Sequence, residues 1–307
     1  LYKTPGTTLL TTVGVGPIRG VHVMGAYLYV VSGYELYQLN GGWAVTLLGR
    51  VSGTGHVWMT DNGTQLAISC NPQLFIYNVS TNVLAQIMDP DFPGSEAIGY
   101  IDGYFVFNQP GSQLLWNTEI NDGTSIDALD FASAEGAPDI LVSLIIDHSE
   151  IWLFGNLSTE VWYNTGTANN TFARISGAFI EHGCAAAASV AKIDNSVFWL
   201  GQDERGRGIV WRANGYTPAR ISDHSFETSV SEIDDISDAV AYSYQEKRHS
   251  FYVISFPTGN ETWAFDAATN LWHRRAYRDT TTGVLGRHRS NCHAYYFGRH
   301  VVGDYFN

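Results

Sequence analysis

The chain has 307 residues, 45% apolar, 13% aromatic and 15% charged, with a formal net charge of −13. That acidic balance repels nucleic acid and argues against a reader of DNA sequence. Three widely spaced cysteines form neither a disulfide framework nor a metal-ligand spacing and suit a reducing interior; no hydrophobic run reaches membrane-spanning length and no basic-apolar leader opens the chain.

Residues 20–24, 26–31, 34–40 and 44–49 are four strand-like runs joined by Gly-rich turns, the pattern of an antiparallel meander. It recurs at 56–60, 65–69, 74–79 and 83–88, at 97–101, 104–108, 113–118 and 127–131, and at 140–146, 151–155, 159–164 and 172–175. Further copies begin near Ala185, Val240 and Gly283. One aromatic marks each copy: Tyr37, Tyr77, Trp116, Trp162, Trp211, Trp263 and Tyr305, at intervals of 39 to 52 residues, about the length of a four-stranded unit. Each marker follows a β-branched and aromatic run, from 27–31 in the first copy to 293–297 in the last. The expectation is an all-β, seven-bladed β-propeller of four-stranded antiparallel blades, one domain over residues 1–307 of a longer chain. The seventh copy lacks a fourth strand, and residues 7–13 are expected to supply it, closing the ring and covering a sheet edge.

One segment breaks the period. In residues 223–239, Phe226, Val230, Ile233 and Ile236 recur at helical spacing, which predicts a short amphipathic helix near 225–238. Its acidic residues, Glu227, Glu232, Asp234, Asp235 and Asp238, form either a solvated connector or a contact surface for another subunit. Toward the end of the sequence basic residues thicken, and Arg274, Arg275, Arg287, Arg289 and Arg299 are a candidate patch for phosphates or an acidic partner, against the plainer reading of ordinary surface charge.

Catalytic patterns are sparse. Asp122, Asp127, Asp130 and Glu135 are the nearest approach to a glycosidase carboxylate pair, but propeller turns are Asp-rich for hydrogen-bonding reasons and no sialidase-type repeat accompanies them. Gly14-Val15-Gly16 has no helix after it to hold a dinucleotide, and the histidines lack metal-ligand spacing. No catalytic, metal or cofactor residue is therefore expected. The marker tryptophans read as interblade core rather than sugar platforms.

The order of segments resembles a known family. Pro5-Gly6, Gly20-Val21-His22 leading into Leu28-Tyr29-Val30, Glu35-Leu36-Tyr37, Gly49-Arg50-Val51-Ser52-Gly53 and Val57-Trp58-Met59 are similar to the tail accessory, or packaged DNA stabilization, proteins of short-tailed bacteriophages. Agreement continues through 116–122, 151–163, 225–272 and Val301-Val302-Gly303-Asp304. The resemblance implies a non-enzymatic virion protein, assembled in the host cytoplasm into the tail. There a homo-oligomeric ring, six copies in the best-known relatives, lies below the portal or adaptor protein, holds needle, nozzle or tailspike proteins and retains packaged DNA. It implies no cofactor and no membrane; genomic DNA would pass the lumen, where an acidic lining would keep it from sticking. A receptor- or glycan-binding propeller is the alternative, and a propeller hydrolase the more distant one.

Overall fold

A computed structural model describes residues 6–137, 139–167, 171–203 and 206–306, so Pro5 falls outside it. Blade 1 is the meander β1 (Ile18–Met24), β2 (Tyr27–Ser32), β3 (Glu35–Leu39) and β4 (Val45–Arg50). Blade 2 is β5 (Trp58–Asp61), β6 (Gln65–Cys70), β7 (Gln73–Asn78) and β8 (Val83–Gln86), and blade 3 is β9 (Ile98–Ile101), β10 (Tyr104–Asn108), β11 (Leu114–Asn117) and β12 (Phe131–Ser133). Blade 4 is β13 (Leu141–Asp147), β14 (Glu150–Gly155), β15 (Thr159–Asn164) and β16 (Phe172–Ile180). In blade 5, β17 (Gly183–Cys184) and β18 (Ala191–Ile193) both pair with β19 (Ser196–Asp203), which continues to β20 (Gly206–Asn214) and β21 (Thr217–Arg220). Blade 6 runs β22 (Val240–Glu246), β23 (His249–Phe256), β24 (Glu261–Asp266), β25 (Leu271–Arg278) and β26 (Leu285–Arg287).

The propeller therefore has six blades of four or five strands, not the seven expected. Among the described residues, the sector between blades 6 and 1 holds a single two-stranded hairpin, β27 (Ser290–Tyr296) and β28 (Arg299–Asp304), with β27 packed against both β22 and β1. The first six marker aromatics all fall on the third strand of a blade, whereas Tyr305 follows the second strand of the hairpin. Its interval along the chain matched; its place in a sheet did not. The expected closure by residues 7–13 is not seen, since that segment forms no strand among the described residues, although Val13 joins the apolar cluster between the hairpin and blade 1.

The second strands explain why the repeat is so apolar. They are covered on both faces by neighbouring blades, so they read as near-continuous hydrophobic runs instead of alternating ones. All six residues of β6 are buried: Leu66 and Ile68 pack with Tyr29 and Val31 of blade 1, while the intervening Ala67 packs with Phe105 and Phe107 of blade 3. The two-residue period of a strand sends alternate side chains to opposite neighbours. The same arrangement joins blade 4 to blade 5 through Phe154 and Trp199, and blade 5 to blade 6 through Phe198 and Tyr252. Outermost strands such as β4 and β8 are largely exposed. Trp116, Trp162 and Trp263 are buried between blades, in keeping with their reading as core.

The connector from blade 5 to blade 6 carries one α-helix, α1 (His224–Ser231), shorter than the 225–238 predicted. Asp223 caps its start by accepting from the Phe226 backbone N–H at 2.8 Å. It stops at Glu232, whose backbone N–H returns to the Ser229 and Val230 carbonyls, and in the Asp-Asp-Ile-Ser stretch beyond it the Asp235 carboxylate takes the Ser237 N–H at 2.8 Å, offering the backbone a turn in place of another helical bond. Phe226, Val230, Ile233 and Ile236 are nonetheless all buried against blades 5 and 6. The fourth strand of blade 3 also shifts, from 127–131 to Phe131–Ser133, because Asp127 accepts the Leu129 N–H and holds that stretch as a turn.

Candidate functional site

Where the inner strands begin, the links between blades frame a cavity of about 880 Å³ at the mouth of the propeller axis, within the size range of ligand pockets. A bulge in β1 between Ile18 and Gly20 displaces Arg19. This arginine is 4% exposed, and its guanidinium is occupied by the Gly55 and Gly33 carbonyls at 2.8 and 2.9 Å. Gly33 has a left-handed φ of 54°, and the position of a Cβ on Gly16 would fall 2.5 Å from its Cα, so the two turns close on each other only as glycines.

Around Arg19 the cavity is lined by Glu35, Arg50, His56, Glu96, Asp238 and Arg287. Burial, with the Arg19 charge adding to it, lowers the His56 imidazole to about 4, so it is neutral at ordinary pH. Its ring meets Trp58 edge-on at 4.7 Å, and its Nδ1 is buried without a protein partner. Burial raises the Glu96 carboxyl, against hydrogen bonds from Asn71 and Asn108. Arg287 lies over the Tyr305 ring at 3.6 Å; burial lowers its pKa, opposed by Tyr305 and Asp238, yet a guanidinium stays charged. Its Nη1 has no protein partner. Asp238 accepts the Thr258 N–H and hydroxyl on Oδ2 at 2.8 and 2.7 Å, while its Oδ1 is buried and unpartnered. Three cationic side chains and three carboxylates thus line this mouth, in contrast to the acidic chain as a whole.

Of the five acidic residues grouped with the helix, only Glu227 lies on α1, where it bonds Arg220 and Ser222. Glu232 is its C-cap, Asp234 and Asp235 are exposed in the turn beyond, and Asp238 reaches the axial mouth. The five arginines are also dispersed. Arg274 pairs with Glu261 at 2.8 Å beside Trp263, and Arg287 belongs to the axial mouth. The other three, Arg275, Arg289 and Arg299, line a second cavity of about 670 Å³ between blade 6, the hairpin and residues 6–13. Arg275 is buried on the Tyr244 and Phe251 rings and donates to the Tyr244 hydroxyl; Arg289 pairs with Asp304 at 3.3 Å.

Asp122 and Asp127 cap their own turns, and burial together with Glu119 and Asp127 raises Asp130. Among the described residues no cluster of His, Cys, Asp and Glu is arranged to hold a metal ion, and no helix is long and apolar enough to cross a membrane. Sequence reasoning did not single out Arg19 or His56. The only local signal was the glycine pair Gly53 and Gly55 just ahead of His56.

Comparison with known proteins follows the fold. Residues 1–307 match the phage-stabilisation family described as bacteriophage P22 Gp10, beta-propeller. No curated protein sequence matches. Among solved structures, the chain is similar to PorZ, a surface component of the type-IX secretion system of Porphyromonas gingivalis (TM-score 0.54, 10% identity), covering 95% of this chain but only 36% of PorZ. It is also similar to the computationally designed Ika8 protein (TM-score 0.53, 10% identity, 95% of each chain) and to the N-terminal domain of Nup159 (TM-score 0.56, 8% identity, 94% of this chain and 87% of that one). At such identities these likenesses speak for the propeller fold alone.

Proposed function

We propose, from the premise that this chain belongs to the phage-stabilisation family of bacteriophage P22 Gp10 β-propellers, that it is a ring subunit of a phage tail. The family makes it a phage structural protein and a virion component. The finer reading is a hub below the portal or adaptor protein that connects needle, nozzle or tailspike proteins and helps retain packaged DNA. It would be assembled in the host cytoplasm as a closed homo-oligomer of six copies, with the 307 residues forming one propeller domain of a longer protein. The observation that carries it is a family match spanning every residue of the sequence.

The role is mechanical. Blades that bury whole strands between one another give a stiff body, and copies around a tail axis raise effective concentration so that weak contacts hold together. Symmetric closed rings are the common solution for identical subunits. The net charge of −13 fits a lumen to which the exiting genome does not stick, because phosphate binding needs cations. No enzymatic step is assigned.

Imaging of assembled tails tests the proposal. A ring of these propellers below the portal is expected, disrupted when exposed Glu232 and Asp234 are both changed to Arg if the connector is a subunit contact. Virions whose tails lack the protein would refute the tail role. A receptor- or glycan-binding module is the second reading, favoured only by the size of the axial cavity, and a glycan array with the purified chain separates the two.

A further inference from the structure

We propose that the open edge of the hairpin is a docking site for an extended, acidic segment of another protein, which adds to β28 as a third strand. Phe297 and Gly298, with φ of 50° and 75°, make the two-residue turn between β27 and β28. Such a turn bonds the Arg299 N–H to the Tyr296 carbonyl. Alternation along an antiparallel pair then points the backbone groups of Arg299 and Val301 toward β27 and those of His300 and Val302 away from it. Among the described residues no backbone group meets these outward ones. Outer strands such as β4 and β8 have open edges too, but each is the fourth of its sheet. β28 is only the second, and beside it lies the cavity of about 670 Å³, walled by Val30 and Leu39 of blade 1 and by Tyr244 and Arg275 of blade 6. Unpaired N–H and C=O groups along such a space are a template for one more strand.

The charges around this space select the strand. Its two carboxylates are already engaged, Asp304 with Arg289 at 3.3 Å and Glu246 with Lys247 at 3.5 Å. Arg275 and Arg299 line the same cavity and meet no carboxylate among the described residues. Arg299 is exposed, whereas Arg275 is only 7% exposed and is held by the Tyr244 hydroxyl, the His273 ring nitrogen and the Tyr244 and Phe251 faces. A buried charge without a counter-charge is costly, so an incoming strand gains by bringing a carboxylate. Residues 7–13 of the chain itself line this cavity as well, but they are only Thr, Leu and Val and form no backbone hydrogen bond with β28. They leave both guanidinium charges unanswered, and the same residues of a second copy would do no better. A nucleic acid would neutralise the arginines but has no peptide N–H and C=O groups with which to extend the sheet. That the segment comes from another virion protein rests on the proposed tail role; that it is an acidic strand does not.

The test uses the whole 307-residue chain on two arrays, one of overlapping short peptides covering the phage's other structural proteins and one of random-sequence peptides, followed by calorimetric titration and amide hydrogen exchange with the best binder. Binders are expected to be rich in Asp and Glu, to lose affinity when these become Asn and Gln, and to protect the His300 and Val302 amides. Val302→Pro removes an outward N–H while sparing the bonds to β27, and Arg299→Glu reverses an exposed charge. Each is expected to weaken the bound peptide about tenfold or more, the scale of one lost hydrogen bond or charge partner, with an unchanged urea midpoint. Arg50→Gln, at the axial mouth, should leave the affinity unchanged. Should Val302→Pro fold poorly, Arg299→Glu and the exchange pattern carry the test. Acidic binders found only among random peptides would uphold the strand site and refute its virion source. No peptide binder, binders without acidic residues, binding that leaves the two amides unprotected, wild-type affinity in the variants, or an oligonucleotide bound in their place would overturn the inference. So would protection of the two amides in the free chain that Leu10→Pro removes, since residues 7–13 would then already fill the edge.

Discussion

Acidification should weaken this protein through His56, and the size of the effect follows from its surroundings. The imidazole is lowered to about 4 from an ordinary 6.5 by burial and by Arg19. In the unfolded chain it takes up a proton near pH 6.5, whereas in the folded chain it stays neutral until about pH 4. Between those values the unfolded state binds more protons, so stability falls as pH falls, and below about 4 the contribution stops changing. At about 1.4 kcal/mol per pKa unit, the full interval from 6.5 to about 4 is worth at most about 3.5 kcal/mol, an upper bound because the cavity admits solvent. Urea unfolding of wild type and His56→Gln across this pH range isolates the group from all other titrations. The variant should gain on wild type steadily from pH 6.5 down to 4. Parallel curves would refute the reasoning, as would a His56 ring titrating at its ordinary value by NMR.

Two further substitutions probe the frame. Asp139, in the link entering blade 4, accepts the backbone N–H groups of Asn156, Leu157 and Ser158 and the Ser158 hydroxyl at 2.7 to 3.1 Å. Asp139→Ala is expected to cost about 3–5 kcal/mol, since hydrogen bonds to a charged group are worth ~1.5–3 kcal/mol each and do not add fully; a loss below about 1 kcal/mol in urea unfolding would show the turn repairs itself. Phe226→Ala removes a fully buried ring that touches Phe256, Trp263 and Trp272 and should cost about 3–5 kcal/mol, while Glu232→Ala, exposed at the end of the helix, leaves the unfolding midpoint in place. Equal effects of the two would mean the connector is not anchored by its apolar side.

The legible part of the fold is the part buried on both faces. β6, β14 and β23 are largely apolar because a blade covers each side, and the first six marker aromatics land on third strands. Outer strands are largely solvated, so β12 was misplaced by a few residues. Tyr305 misled the blade count because an interval along the chain carries no information about how many strands a sheet has gathered. The helix shows the same limit: the spacing of Phe226, Val230, Ile233 and Ile236 reported burial correctly, but not that the chain leaves the helix at Glu232 for a turn in which Asp235 takes the Ser237 N–H. The axial mouth was hardly readable at all. Arg19, His56, Asp238 and Arg287 come from distant links and meet only once the sheets are arranged around an axis. Asp238 and Arg287 had drawn notice for other reasons, as a helix charge and a member of a basic patch.

The two-stranded hairpin also bears on how the chain is made. Each blade assembles from neighbours in sequence, but the hairpin ties Asn291 to the Ile18 carbonyl and Tyr296 to the Ala26 carbonyl across 273 and 270 residues. Such distant pairings form late. During translation six sheets can therefore mature while the flanks of the first and sixth stay raw, until the hairpin emerges and seals the seam between them. That interval is when a nascent chain is most open to capture by a second copy, and the rate at which the seam shuts sets how long the hazard lasts.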